Sequence, residues 1–368
     1  MKQKPEKNIT FLAFNLSPGG AEKVCLILSN EFAKRNYNTE LWTVNYKENA
    51  LTKQINKRVK LINLDREHVR NSFWPLLKML IRKKPKTIII FHPELAVIVI
   101  LLKKVLFLKT AIIVRSINTL SQAYKFHKSF WGKHVTLRLF KTILPWSDKI
   151  VAQSTGMQID LIDNLGFNRN KIITINNPAV ISEKKEVIDK KNKEKAEFLF
   201  VGRLSPQKGL QNMLQAFRLA YKKNPEIRLT LVGEGKEKEK LRLLTENMEL
   251  ASSVTFEGCQ SDIIKYYERA RATLLTSHFE GFPNVLVESI ATGTPVISFN
   301  CPSGPEDIII PGKNGILVPH LNVEEFSKAI LALANGEIDF NEDEVIESSK
   351  RFSIKNIVNQ YEEVIKEF

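Results

Sequence analysis

Short β-branched runs alternate with helix-length amphipathic segments from one end of this chain to the other, and that alternation leaves few folds open. In the first half the runs fall at 9–15, 39–44, 59–64, 87–91, 111–115, 149–152 and 172–175. Between them lie helical patterns. In 21–34, for example, Ala21, Val24, Cys25, Leu28 and Phe32 make one apolar stripe. The second half repeats the scheme, with runs at 198–201, 228–232, 254–256, 273–276, 296–299 and 315–318. Continuous apolar strands separated by helices predict parallel sheets covered on both faces. The fold class is α/β, with two doubly wound units of similar size.

A chain of 368 residues exceeds what one hydrophobic core normally holds, which agrees with two domains. The joint falls in a charged run: Lys184, Lys185, Lys190, Lys191, Lys193 and Lys195 stand among few apolar residues. The expected division is a first domain at 1–180, a linker at 181–196 and a second domain at 197–352. A last helix at 353–368 is free to pack back on the first domain. Glu183, Glu186, Asp189 and Glu194 dilute the basic run and argue against a nucleic-acid patch there.

The net charge of +15 favours a partner bearing phosphates: a nucleotide, a nucleic acid or an anionic membrane surface, against the plain reading of a solvated basic surface. No aromatic–basic interleaving or known nucleic-acid motif supports the second of these, so no nucleic-acid partner is expected. Cys25, Cys259 and Cys301 are odd in number and lack metal-type spacing, so they read as small buried apolar residues in a reduced compartment. The apolar stretch 95–108 is broken by Lys103 and Lys104 and is too short to span a bilayer. No signal peptide is visible, and a cytoplasmic location is expected.

Ligands of open α/β sheets sit beyond the carboxyl ends of the strands, so the strand-to-helix turns carry the chemistry. Three turns are unusual. The first, after the first strand, is Ser17-Pro18-Gly19-Gly20-Ala21-Glu22, where two glycines open a helix and let a ligand approach backbone N–H groups. The second is Gly202-Arg203-Leu204-Ser205-Pro206-Gln207-Lys208-Gly209. Pro206 suits a first helical position, with Ser205 as cap. Cations at a helix start are disfavoured by a few tenths to about 1 kcal/mol each. An anion between Arg203 and Lys208 would reverse that, and a diphosphate fits.

The third turn runs from Glu280 through Gly281, Phe282, Pro283, Asn284 and Val285 to Glu288, with seven residues between the glutamates. Glu288 falls in a helix apolar on nearly all sides, where a carboxylate is costly unless it accepts hydrogen bonds. Ribose hydroxyls would supply them; a local Arg or Lys is the alternative.

The Glu-x7-Glu element, the Gly-Arg-Leu-x-x-x-Lys-Gly turn and the Gly-Gly-Ala-Glu loop together resemble glycosyltransferase family four. The resemblance is dense from about 197 to 319 and sparser before. It implies the GT-B fold, two facing Rossmann-like domains with a cleft between them, and retention of anomeric configuration. It implies that Arg203 and Lys208 hold the donor diphosphate and act in catalysis with Glu280, which contacts the donor sugar. Glu288 would bind the ribose, with Gly281, Phe282, Pro283, Asn284 and Val285 lining the donor. Gly202 and Gly19-Gly20 would face the phosphates, and Glu234, within Gly233-Glu234-Gly235, would lie near the base. No cofactor and no metal are implied, the nucleotide-sugar being a substrate, by family habit UDP-linked.

One departure concerns the first domain. Many relatives carry a histidine after the fifth strand, where this chain has Arg115 and Asn118; His127 follows later. These three are the acceptor-side candidates. The run Cys301-Pro302-Ser303-Gly304-Pro305-Glu306 looks like enzymes of bacterial surface polysaccharide or lipid-linked oligosaccharide synthesis. The implied acceptor is a glycan or lipid-linked glycan. The Lys- and Arg-rich stretch between Arg66 and Lys149 would then favour the inner face of the cell membrane. Two other readings are a sugar-nucleotide epimerase of the same fold and a non-catalytic basic binding protein. The intact set Arg203, Lys208, Glu280 and Glu288 disfavours the latter.

Overall fold

The computed structural model describes residues 7–17, 19–49, 51–116, 118–125, 135–179 and 196–368, with backbone alone at 123–125. Residues 181–195 of the expected linker, and His127, lie outside the described residues. The chain divides into two compact units, one of 1–178 with 354–368 and one of 179–353.

In the first unit the elements run β1 (Asn8–Ala13), α1 (Gly20–Lys34), β2 (Asn38–Thr43), β3 (Lys60–Asn63), α2 (Phe73–Lys83), β4 (Thr87–Ile90), α3 (Pro93–Val105) and β5 (Ala111–Arg115). They continue as α4 (Leu120–Lys125), α5 (Leu137–Ile143), β6 (Lys149–Ala152), α6 (Thr155–Ile159) and β7 (Ile172–Thr174). All strand pairs are parallel, in the order β3-β2-β1-β4-β5-β6-β7. The direction of winding reverses between β1 and β4. Strand β4 shows why the apolar runs are unbroken: Ile88 and Ile90 join the core under α2, α3 and α5, while Ile89 joins the opposite core under α1. Both faces are covered, so both need apolar side chains.

The C-terminal helix (Ile354–Lys366) completes the second of these faces. Ile357, Val358, Tyr361 and Val364 are buried against Phe11, Phe32 and Ile89, and Arg35 donates to Glu362 at 2.5 Å. An amphipathic helix this short is marginal alone, so its stability comes from that apolar stripe.

The second unit runs β8 (Glu197–Val201), α7 (Leu210–Tyr221), β9 (Arg228–Val232), α8 (Lys238–Asn247), β10 (Val254–Gly258), α9 (Ile264–Arg269) and β11 (Ala272–Leu275). It ends with α10 (Asn284–Ala291), β12 (Val296–Phe299), α11 (Pro305–Ile308), β13 (Gly315–Val318), α12 (Val323–Ala334) and α13 (Glu342–Ser349). The parallel order β10-β9-β8-β11-β12-β13 is that of a Rossmann dinucleotide-binding sheet. Its switch point lies between β8 and β11. Strand β10 is longer than the apolar pattern predicts, because the ladder with β9 shifts register after Phe256 and resumes at Gly258.

Candidate active site

Both unusual turns of the second unit leave the carboxyl ends of the two strands flanking the switch point. The turn after β8 carries Arg203 and Lys208; the turn after β11 carries Glu280 and leads into α10. Gly209 holds them together. Its φ of 60° is in the left-handed region, and an added Cβ would stand 2.2 Å from the Thr276 carbonyl oxygen. The Thr276 hydroxyl donates to the carbonyls of Lys208 and Gly209 at 3.2 and 3.1 Å, and the His278 N–H donates to that of Gln207 at 2.8 Å. Two loops far apart in sequence thus form one rigid backbone surface.

On that surface Lys208 and Glu280 meet. Lys208 Nζ lies 2.7 Å from Glu280 Oε1, with side chains only 13% and 8% exposed. Ser277 Oγ donates to the same oxygen at 2.6 Å. Arg203, by contrast, is exposed and holds no ion pair among the described residues. The site therefore has one compensated and one uncompensated cation.

Glu288 is half-buried on α10, and Tyr267 donates its phenol to Glu288 Oε2 at 3.2 Å. Burial first, then the glutamate charge, pushes the Tyr267 phenol well above its ordinary value, so it stays a neutral donor. Nothing in the α9 sequence marks Tyr267, because a tyrosine there reads as a packing residue. Ser277 was equally unmarked; the Ser303 hydroxyl, from the run singled out after β12, donates to the Gly281 carbonyl at 3.1 Å. Burial, and next the Glu280 charge, raises the nearby Cys301 thiol.

One expectation about a helix start needs correction, and the other turn residues take their own places in the fold. Pro206 does open a helical turn, but it is a single 3-10 turn (Pro206–Lys208); Ser205 makes no side-chain cap, and α7 starts only after Gly209. Pro283 is the residue before α10, and no side chain caps that helix. Gly233 is needed for packing, since a Cβ there would fall 1.9 Å from the Gly202 carbonyl oxygen; Gly202 itself sits in the turn after β8, where a Cβ would stand 3.1 Å from the Phe200 ring. Glu234 pairs at 2.7 Å with Lys238, the first residue of α8. Phe282 is buried in the core with its ring edge on Phe352, while Val285 and Asn284 are half-exposed at the start of α10. Cys25 and Cys301 are buried as expected, whereas Cys259 is exposed in the turn after β10.

In the first unit, Gly19 precedes α1 in extended conformation with no side-chain cap, and Gly20 opens the helix; both are exposed. Arg115 does not face solvent. Every residue of β5 is buried, and the guanidinium sits over the Phe91 ring at 5.1 Å, beside the Tyr361 phenol of the C-terminal helix. Arg115 donates to Asn177, Asn177 to Gln153 Oε1 at 3.0 Å, and Gln153 to the Ser116 carbonyl. Its burial removes it from the residues able to touch an acceptor. Asn118 is half-buried and accepts from the Thr119 N–H at 2.9 Å.

Comparison with known proteins agrees with this geometry. Residues 18–182 match the family model for Glycosyltransferase Family 4, and residues 181–353 that for Glycosyl transferases group 1. The chain is 27% identical to an uncharacterised glycosyltransferase of Haemophilus influenzae, over 98% of this chain and 100% of that protein. It is 29% identical over 236 residues to the lipopolysaccharide 1,6-galactosyltransferase of Salmonella typhimurium, covering 60% of this chain and 65% of that one. Among solved structures, the Anabaena HepE protein in complex with UDP aligns with a TM-score of 0.80 at 18% identity, over 98% of this chain and 100% of that chain. The two family models run almost end to end, and the two Rossmann-like sheets are those of the GT-B fold: the chain belongs to the family 4 glycosyltransferases.

Proposed function

We propose that this glycosyltransferase moves a hexose or N-acetylhexosamine from a UDP-sugar to a glycan or lipid-linked acceptor of a bacterial cell-surface polysaccharide, with retention at the anomeric carbon. The observation that carries this reading is the convergence of Arg203, Lys208, Glu280 and Glu288 on the switch point of the second unit. The UDP bound by the HepE protein and the lipopolysaccharide acceptor named for the Salmonella relative support the donor and acceptor classes.

Arg203 and Lys208 take the donor diphosphate, and the α10 start adds backbone dipole. As the glycosidic C–O bond breaks, negative charge builds on the departing diphosphate. The two cations stabilise it electrostatically, so the reading requires no metal. Glu280 contacts sugar hydroxyls, and Glu288 takes the ribose hydroxyls. The acceptor oxygen attacks from the face the leaving group vacates, its proton passing to the departing phosphate oxygen, so no protein nucleophile is needed. No helix among the described residues is long and apolar enough to cross a membrane. We place the enzyme in the cytoplasm, acting at the inner face of the membrane.

The test is a panel of UDP-sugars incubated with the enzyme and lipid-linked oligosaccharide acceptors, with product configuration read by NMR. An α-linked product from an α-linked donor supports the reading. An inverted product, or interconversion of the donor sugar without acceptor, would overturn it.

A further inference from the structure

We infer that the outer face of α2, α3 and α5 in the first unit is a docking surface for an anionic lipid bilayer, anchored by exposed aromatic side chains. The three helices lie side by side on one face of the sheet, all packed into the same core, with α3 touching both neighbours. Their outward stripes should be polar in a protein surrounded only by water. They are not. On α2, Trp74 and Ile81 flank Lys78 on one stripe, and Trp74 is 67% exposed with Phe73 against it, ring centroids 5.3 Å apart. On α3 the stripe is Ile98, Leu101 and Val105, and beside it α5 exposes Leu139.

Phe107 is the most telling residue. It closes α3 in the left-handed region, at φ 51°, a place that favours glycine, and it is 91% exposed. Local structure gives no reason for a phenylalanine there, since it is strained and buries almost nothing. Lys84 closes α2 the same way, at φ 45°. Lys84, Phe107 and Trp146 lead into the amino ends of β4, β5 and β6, adjacent strands, so they share one edge of the sheet. Lys104 lies 4.4 Å over the exposed Trp146 ring at that edge.

The charge complements the apolar stripe. Between His68 and Ser147 the chain carries fifteen Lys and Arg and one acidic residue, Glu94. Lys83 and Lys103 are held by Glu40 and Asp148. Lys78, Arg82, Lys84, Lys104 and Arg138 have no carboxylate partner among the described residues. Aromatic rings ringed by unpaired cations match the interface of a bilayer, with rings at the headgroup boundary and cations on anionic lipid. A nucleic acid would take the cations but leave Val105, Ile81 and Leu101 in water. The surface rests on the proposed function only for the acceptor's location, and donor binding lies in the other unit.

The test is flotation of the full chain with vesicles of phosphatidylglycerol and phosphatidylcholine, against phosphatidylcholine alone, in low salt. Binding should require the anionic lipid and weaken about fivefold for each of R82Q and K104Q, which each remove one charge. Phe107→Gly separates docking from folding. It relieves the positive φ and should raise the melting temperature, while lowering vesicle binding about tenfold. UDP titration of each variant should match wild type. No flotation of wild type with anionic vesicles would overturn the inference. So would equal binding to neutral vesicles, unchanged binding of F107G, or a dimer in sedimentation velocity that F107G abolishes.

Discussion

Replacing Glu280 by glutamine removes one negative charge and almost no volume, and the structure says what that charge does. Glu280 is the ion-pair partner of Lys208 among the described residues, at 2.7 Å, with both side chains largely buried. Breaking a buried pair by neutralising one member costs about 3–5 kcal/mol. The retained hydrogen bond of the amide with Ser277 and residual solvent access reduce this to about 2–3 kcal/mol. In a unit of this size each kcal/mol shifts the melting temperature by roughly 2–4 °C, so the Glu280→Gln midpoint should fall about 4–12 °C. A bound diphosphate would replace the missing charge beside Lys208. Saturating UDP should therefore raise the midpoint of the variant more than that of wild type, with UDP binding several-fold tighter while turnover drops. Scanning calorimetry with and without UDP measures both effects. If the variant melts with wild type, or gains no more from UDP than wild type does, the coupling of Lys208 between Glu280 and the diphosphate is wrong.

Other consequences are as direct. Gly209→Ala forces a Cβ to within 2.2 Å of the Thr276 carbonyl at φ 60°, and should destabilise the second unit by about 2–4 kcal/mol and abolish UDP binding, both readable by calorimetry. Truncation after Ser353 removes Ile357, Val358, Tyr361 and Val364, each at most 1% exposed, and bares the apolar face of the first unit that they cover. Four such side chains contribute about 6–12 kcal/mol, comparable with a whole domain's stability, so limited proteolysis should digest the first unit of the truncated chain. Alkali acts on the same face. Burial, with help from Glu362, pushes the Tyr37 phenol up to about 12 from 10.0. The folded state then holds that proton more tightly than the unfolded chain. Its stabilisation is complete below pH 10 and is lost as pH rises toward 12, which urea midpoints across that range should show and Tyr37→Phe should flatten.

The strands were legible because parallel strands buried on both faces need unbroken apolar runs, such as the four buried residues of Thr87–Ile90. Their order was legible only as a class, since a parallel sheet does not print its neighbours in the sequence. Arg203, Lys208, Glu280 and Glu288 stood out because charges beside glycines and prolines at strand ends have few structural reasons to be there. Their pairing did not: Lys208 and Glu280 are 72 residues apart, and contact between them depends on β8 and β11 being neighbours. Arg115 misled for a physical reason. A guanidinium at a strand end looks the same in sequence whether it meets solvent or a helix returning from 239 residues later, and here the C-terminal helix covers it. Tyr267 was invisible because its phenol matters only through the partner it reaches.

The central claim, a nucleotide site at the switch point of the second unit, is tested most directly by titrating UDP, GDP and ADP into wild type and Glu288→Ala by calorimetry. The account predicts that UDP alone binds tightly. Loss of the charged hydrogen-bond acceptor should weaken it roughly tenfold to a hundredfold without unfolding the protein. A stronger preference for GDP or ADP would correct the donor class and leave the site standing. Equal affinities in wild type and variant, or no nucleotide binding at all, would contradict it.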